Sequence, residues 1–104
     1  MELKELIERI SFIRTRANLS ARKLSLRIGK GESYIHQLES TIGTENQFAP
    51  SFETLMEIIE ACNSTTEEFF YYEVPAYKND KYLIDILRNL SEDKIKALIS
   101  LLKK

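Results

Sequence analysis

The chain has 104 residues, 43% of them hydrophobic, and a formal net charge of −1. This length fits one domain, or one small domain with an appendage. No run approaches the roughly 18–20 consecutive apolar residues of a membrane span, and the charged start MELKELIERI lacks the apolar centre of a signal peptide. Cys62 is the only cysteine, which excludes an intramolecular disulfide, so we expect a protein of the reducing cytoplasm.

The charge is unevenly distributed along the chain. Met1 to Glu39 carries a net charge of +3, Ser40 to Glu73 carries −7 without a single Lys or Arg, and Val74 to Lys104 carries +3. A basic first third suits a nucleic-acid partner, because phosphate neutralisation supplies much of the affinity of DNA-binding proteins. A net charge of +3 over this length is also ordinary for a protein surface.

The first two predicted helices are separated by a short turn. Glu2 to Arg16 is predicted to be helical because apolar residues recur at helical spacing: Leu3, Leu6, Ile7, Ile10, Ile13 and Ala17. Asn18 tolerates the left-handed conformation that ends a helix. Ser20 can cap a second helix over Ala21 to Ile28, and Gly29 closes it.

A third helix is predicted over about Glu32 to Ser40, burying Ile35 and Leu38. The second and third helices are short and amphipathic, and a tight turn containing Gly29 joins them. This arrangement is the helix-turn-helix unit, whose second helix enters the DNA major groove.

The next segment contains one loop and two further predicted helices. Thr41 to Ala49 has turn residues and no period, so we expect a loop. Pro50-Ser51 marks the start of a fourth helix, and Thr65 and Glu68 have the spacing of a capping box that opens a fifth, running through Phe69 and Phe70. The expected core stripe of the fourth helix contains Phe52, Leu55, Met56, Ile59 and Cys62.

The last part of the chain predicts a helical hairpin. Val74-Pro75 has the character of a linker, Asp80 to Asn89 is predicted as a helix, and Ser91 begins the last one. No strand-like alternation appears anywhere in the sequence. The hairpin carries more apolar surface than a small helix-turn-helix domain needs to cover itself. We therefore expect the hairpin to form a homodimer, or else to fold back on its own domain. Its apolar residues are Leu83, Ile86, Leu87, Leu90, Ile95, Leu98, Ile99 and Leu102.

Residues Leu19 to Glu39, LSARKLSLRIGKGESYIHQLE, resemble the phage repressor and Cro-like (XRE-type) family of helix-turn-helix transcriptional regulators. The resemblance extends over roughly Leu6 to Phe70. It implies an all-α, five-helix, lambda-repressor-like domain over residues 1–73, followed by the helical extension 74–104. It also implies that Arg14 and Glu39 form a structural ion pair between the first and third helices.

The same resemblance and the position of the third helix indicate how DNA would be contacted. Glu32, Ser33 and Gln37 lie where base-reading side chains belong. Ala21 replaces the glutamine that contacts a phosphate in the family, so Arg22 would have to compensate, and Gly31 takes the usual position of the Ser/Thr cap. The expected phosphate contacts are Ser20, Ala21, Arg22, Lys30, Tyr34, His36 and Thr41.

Several of these residues also have a plainer interpretation. Glu32 repels phosphates, and it favours a helix N-terminus whether or not DNA is bound. His36 is the only histidine, so no metal site of the usual four ligands is expected, and Cys62 fits a small core residue. No catalytic constellation or cofactor-binding motif stands out, which argues against an enzyme. Sequence-specific DNA binding is the favoured function, and the alternative is an antitoxin-like or adaptor module that no longer binds DNA.

Overall fold

The structure is a computed structural model that describes residues 1–103, so Lys104 lies outside the described part of the chain. Those residues form an all-helical protein without strands. The helices are α1 (Leu3–Arg16), α2 (Ala21–Arg27), α3 (Tyr34–Ser40), α4 (Phe52–Ala61), α5 (Thr66–Phe69), α6 (Tyr77–Arg88) and α7 (Glu92–Leu102), with a 3₁₀ turn over Val74–Ala76. Within the described residues, none of these helices combines the length and the apolar character that crossing a membrane requires.

The chain divides into two compact units. The first spans Met1–Tyr71 and contains α1 to α5, and the second begins at Tyr72 and contains α6 and α7. The division falls two residues before the boundary expected from the sequence. The Val74-Pro75 segment, expected as a linker, forms the 3₁₀ turn, and Val74 is buried.

Four helices begin at a hydroxyl residue whose side chain accepts a hydrogen bond from a backbone N–H of the first turn. Ser20 accepts from Lys23 N at 3.0 Å, Ser51 and Thr65 act in the same way for α4 and α5, and Ser91 caps α7. Such caps satisfy backbone donors that have no partner within the helix. Each of these starts was predicted from the sequence.

The core of the first unit is built by the apolar faces of α1 to α5. α2 packs on α3, α1 contacts α3 and α4, and α4 contacts α2 and α5. The buried side chains include the middle of the α1 stripe and the apolar positions of α2 and α3, and they are Ile7, Ile10, Ile13, Leu19, Leu24, Ile28, Ile35, Leu38, Leu55, Ile58, Ile59, Cys62 and Phe69.

The predicted core stripe of α4 is partly wrong. Phe52 is 73% exposed and Met56 is only half-buried, whereas Thr54 and Ile58 are buried beside Leu55. The buried face is therefore rotated toward Ile58. Apolar spacing admits both faces, because Phe52 lies at the edge of the stripe and on the first residue of the helix.

The predicted start of α3 is also wrong by two residues. Glu32 and Ser33 lie in a turn before the helix, which begins at Tyr34. Tyr34 N donates to Gly31 O at 3.1 Å, which closes that turn. The residue preceding α3 is Ser33, not Gly31, and its side chain makes no capping hydrogen bond.

The second unit consists of the 3₁₀ turn, α6 and α7. α6 begins at Tyr77, three residues earlier than predicted, because the turn that contains Pro75 leads directly into it. Neither α6 nor α7 has a buried residue. The apolar side chains of both helices therefore remain accessible.

Candidate nucleic-acid interface

The turn between α2 and α3 depends on a glycine. Gly29 has a φ of +74°, in the left-handed region that residues with a Cβ rarely adopt. Its N–H donates to Leu26 O at 3.1 Å, and Lys30 N donates to Ser25 O at 2.9 Å. These bonds close the end of α2 and direct the chain into α3, which packs against it.

Ser25 joins α2 to the first turn of α3. Its hydroxyl is buried, donates to Ala21 O at 2.7 Å, and accepts from Ile35 N at 2.9 Å. A helix leaves its first backbone N–H groups without internal partners, and here the hydroxyl of another helix satisfies one of them. Ser25 was not singled out in the sequence. The available signal was a polar residue beside Leu24, on the side of α2 that faces the core.

The other end of α3 is fixed by Arg14. Its Nε and Nη2 donate to the two carboxylate oxygens of Glu39 at 2.8 and 2.9 Å, and its Nη1 donates to Leu19 O at 2.9 Å. Both side chains of the ion pair are 19% exposed. The fork geometry of arginine suits a carboxylate held in this way. α3 is therefore anchored at its start by Ser25 and at its end by the Arg14–Glu39 pair that the family resemblance implied.

α3 presents a polar face on the side opposite its core contacts. Ile35 and Leu38 are buried, whereas His36, Gln37 and Ser40 are exposed. Glu32 and Ser33 are also exposed, in the turn that precedes the helix. Of the three expected base-reading residues, only Gln37 lies on α3 itself.

Exposed cations lie on α2 and on the turn that leads into α3. Arg22, Lys23, Arg27 and Lys30 are exposed on α2 and the turn, and Ser20 and Ala21 lie at the start of α2. Arg22 Nε lies 3.2 Å from Glu32 Oε2, with the two side chains 69% and 68% exposed. An expected phosphate contact and an expected base-reading residue therefore bind each other. A pair so open to water is weak and easily exchanged.

The loop after α3 packs against the start of that helix. The ring of Phe48 lies edge-on to that of Tyr34, with centroids 5.8 Å apart, and Lys30 Nζ lies 5.4 Å from the centre of the Tyr34 ring. Partial burial raises the pKa of the Tyr34 hydroxyl above its ordinary value of 10.0. Phe48 was missed in the sequence because the loop has no periodic pattern.

The same loop is closed by its own hydrogen bonds. Thr41 Oγ1 donates to Gln37 O at 2.8 Å, Thr44 Oγ1 donates to Thr41 O at 2.7 Å, and Gly43 N donates to the side-chain oxygen of Gln47 at 3.0 Å. Thr41, an expected phosphate contact, thus continues the end of α3. The length of the loop, which the sequence left unexplained, allows Phe48 to return to Tyr34.

Two arginines of α1 bind α5 and the residues next to it. Arg16 binds the buried carboxylate of Glu68 at 2.5 and 3.2 Å, and Ser64 Oγ donates to the same carboxylate at 2.6 Å. Arg9 Nη1 donates to Phe69 O at 2.7 Å and also to Tyr71 O. These contacts are structural.

Comparison with protein-family models, curated proteins and solved structures finds no match to this chain. Within residues 1–103, no group of three His, Cys, Asp or Glu side chains could hold a metal ion. The α2–α3 region has an anchored, exposed helix face on α3 and exposed cations on α2 and the turn.

Proposed function

We propose that this protein is a sequence-specific DNA-binding transcriptional regulator of the helix-turn-helix type, with a five-helix, repressor-like first unit. The observation that carries the proposal is the position of α3. It is held at both ends by Ser25 and Arg14, and it exposes His36 and Gln37 to solvent. A helix fixed in this manner can enter a major groove without losing further conformational freedom.

The roles proposed for the residues follow from their places around α3. Gln37 reads a base, since its amide can form a bidentate pair with adenine, and Glu32 and Ser33 lie close enough in sequence to contribute at the start of the helix. Phosphate contacts come from the capped start of α2, from the turn and from the edges of α3, through Ser20, Ala21, Arg22, Lys30, Tyr34, His36 and Thr41.

The Arg22–Glu32 ion pair supports a second candidate function. Ala21 has no side-chain donor for a phosphate, so Arg22 would have to supply one, and Glu32 neutralises that cation. The acidic segment from Ser40 to Glu73 also opposes the approach of DNA to that part of the chain. On these grounds, an antitoxin-like or adaptor module that binds protein is the alternative.

Binding of a random duplex, followed over a range of salt concentrations, separates the two functions. DNA binding predicts an affinity that falls steeply with salt, because bound phosphates release counterions. Glu32→Gln frees Arg22 and should tighten binding to every duplex if Glu32 faces phosphates, or alter the preference at one base pair if it reads cytosine. If neither the wild-type protein nor Glu32→Gln binds any duplex at low salt, the protein-binding alternative is favoured.

A further inference from the structure

A contact between two aromatic rings joins the long loop to the start of α3. The Phe48 ring lies edge-on to the Tyr34 ring, with centroids 5.8 Å apart and an angle of 68° between the planes. Edge-to-face pairs of this kind add to the gain from apolar burial. Both residues are half-buried, so the pair lies at the surface and not in the core. Phe48 therefore restricts a side chain of α3 from outside the helix-turn-helix.

The position of Phe48 is itself restricted on both sides along the chain. Before it, Gly43 N donates to the side-chain oxygen of Gln47 at 3.0 Å and closes the loop. After it, Ser51 caps α4 by accepting a hydrogen bond from Thr54 N at 3.2 Å. A residue between two fixed segments has few alternative conformations, so little entropy is lost when its ring packs. The loop thus brings a restrained ring to α3.

Tyr34 in turn contacts a cation. Lys30 Nζ lies 5.4 Å from the centre of the Tyr34 ring, within the range of a cation–π interaction. No carboxylate within residues 1–103 forms an ion pair with Lys30, whereas the exposed Arg22 is paired with Glu32. The flexible stem of a lysine must normally be ordered when its ammonium group binds a phosphate, and this ordering costs entropy. Contact with a fixed ring lowers that cost before the phosphate arrives.

We propose that Phe48 is a positioning residue for DNA binding: through the Tyr34 ring it holds Lys30 in place for a phosphate, and Phe48 itself does not contact DNA. This role rests on the proposed function, since it presupposes that DNA is the partner. A loop that acts in this way sets the affinity for all sequences alike, because a phosphate contact carries no base information.

Binding of random duplex at low salt to a set of variants tests this role. Phe48→Ala should raise the Kd about 2- to 10-fold, the range expected when one more side chain must be ordered on binding. The salt dependence of the Kd should match wild type, because Lys30 still reaches its phosphate in the complex. Phe48→Tyr keeps an aromatic ring and should retain wild-type affinity. Phe52→Ala, which removes an exposed ring from α4, is the matched control and should leave the Kd unchanged.

A double-variant cycle separates positioning from a general loss of structure. Lys30→Ala removes the phosphate contact, so it should raise the Kd and also flatten the salt dependence. In the Lys30→Ala background, Phe48→Ala should have no further effect, since the side chain that it positions is gone. An equal loss in both backgrounds would overturn the proposal, because Phe48 would then act through the fold or contact DNA directly.

NMR relaxation of the Lys30 side chain tests the same contact in the free protein. The Lys30 methylene carbons should be more mobile in Phe48→Ala than in wild type or Phe52→Ala. Equal mobility in the three proteins would overturn the positioning role. A wild-type protein that binds no duplex would remove the proposed function and the role of Phe48 with it. Normal wild-type binding with an unchanged Kd in Phe48→Ala would overturn the role of Phe48 alone.

Discussion

Ion pairs have different roles in this molecule because their geometry and their burial differ. Arg14 and Glu39 are each 19% exposed and are joined by two hydrogen bonds, with a third from Arg14 to Leu19 O. The Lys96–Glu92 pair lies on the surface of one helix. Water screens the second pair, and removing one partner there leaves a solvated charge. Removing Glu39 leaves a guanidinium that is largely shielded from water.

Glu39→Ala should therefore lower the free energy of unfolding by about 2 kcal/mol, between the values typical of exposed and of buried pairs. Urea denaturation followed by circular dichroism measures this change. Glu92→Ala is the matched control and should cost no more than about 0.5 kcal/mol. Equal losses in the two variants would mean that the Arg14–Glu39 pair contributes no more than a surface pair.

Cys62 gives the stability a pH dependence in the alkaline range. Burial raises the pKa of its thiol to about 11 from an ordinary value near 9.0. Between these values the unfolded chain loses the proton while the native chain keeps it, so stability falls as the pH rises. Ionisation of this thiol in the unfolded chain should lower the free energy of unfolding by about 2 kcal/mol between pH 8 and pH 11, since each pKa unit corresponds to about 1.36 kcal/mol.

The comparison with Cys62→Ala isolates this contribution, because Lys and Tyr side chains titrate in both proteins. The wild-type advantage in unfolding free energy should be largest near pH 8 and should shrink as the pH approaches 11. A difference that stays constant over this range would show that the thiol ionises as easily in the native protein as in the unfolded chain.

At the level of helices, Ser25 and Arg14 hold α3 from opposite ends, and each comes from a different helix. The contact between Ser25 and Ile35 N is buried, so water cannot replace it. A backbone donor left without a partner in such a place costs about 1–3 kcal/mol. The orientation of α3 therefore depends on one hydroxyl as well as on the apolar contacts of Ile35 and Leu38.

Ser25→Ala should remove this anchor and destabilise the protein by about 1–2 kcal/mol. The backbone amide of Ile35 should also exchange with deuterium faster than in wild type, as measured by NMR. Ser33→Ala is the control, since that side chain makes no capping hydrogen bond, and it should leave both quantities unchanged. Unaltered exchange at Ile35 in Ser25→Ala would argue against the anchoring role.

Local signals in the sequence were sufficient for most helix starts. Ser20, Ser51, Thr65 and Ser91 act on backbone groups within three residues of themselves, so their effect is visible in a short window. The start of α3 was misplaced because Glu32 and Ser33 form a turn, and because the Ile35 N–H is satisfied by Ser25, ten positions earlier, so no local cap marks the start.

Long-range partners were mostly out of reach of sequence patterns. Arg16 and Glu68 are separated by 52 positions, and the contact of Phe48 with Tyr34 depends on the path of a loop without a period. The Arg14–Glu39 pair was accessible only through the family resemblance. The exposure of Phe52 could not be predicted, because helical spacing alone left the edge of the buried α4 face undetermined.

At the scale of the whole molecule, the net charge of −1 conceals the separation of basic and acidic segments. The cations of α2 and the turn precede Ser40, and the acidic residues are concentrated after it. If two chains associate through α6 and α7, two copies of α3 become available to one duplex. A symmetric pair would then require half-sites about 34 Å apart, one helical turn of DNA.

Binding of Gln37→Ala to a duplex selected by the wild-type protein tests the central claim most directly. If α3 reads bases, the variant should lose about 1–3 kcal/mol on the selected duplex and discriminate less at one base pair. Its affinity for random duplex and its salt dependence should match wild type. An equal loss on both duplexes, or no duplex selected by the wild-type protein, would contradict the account.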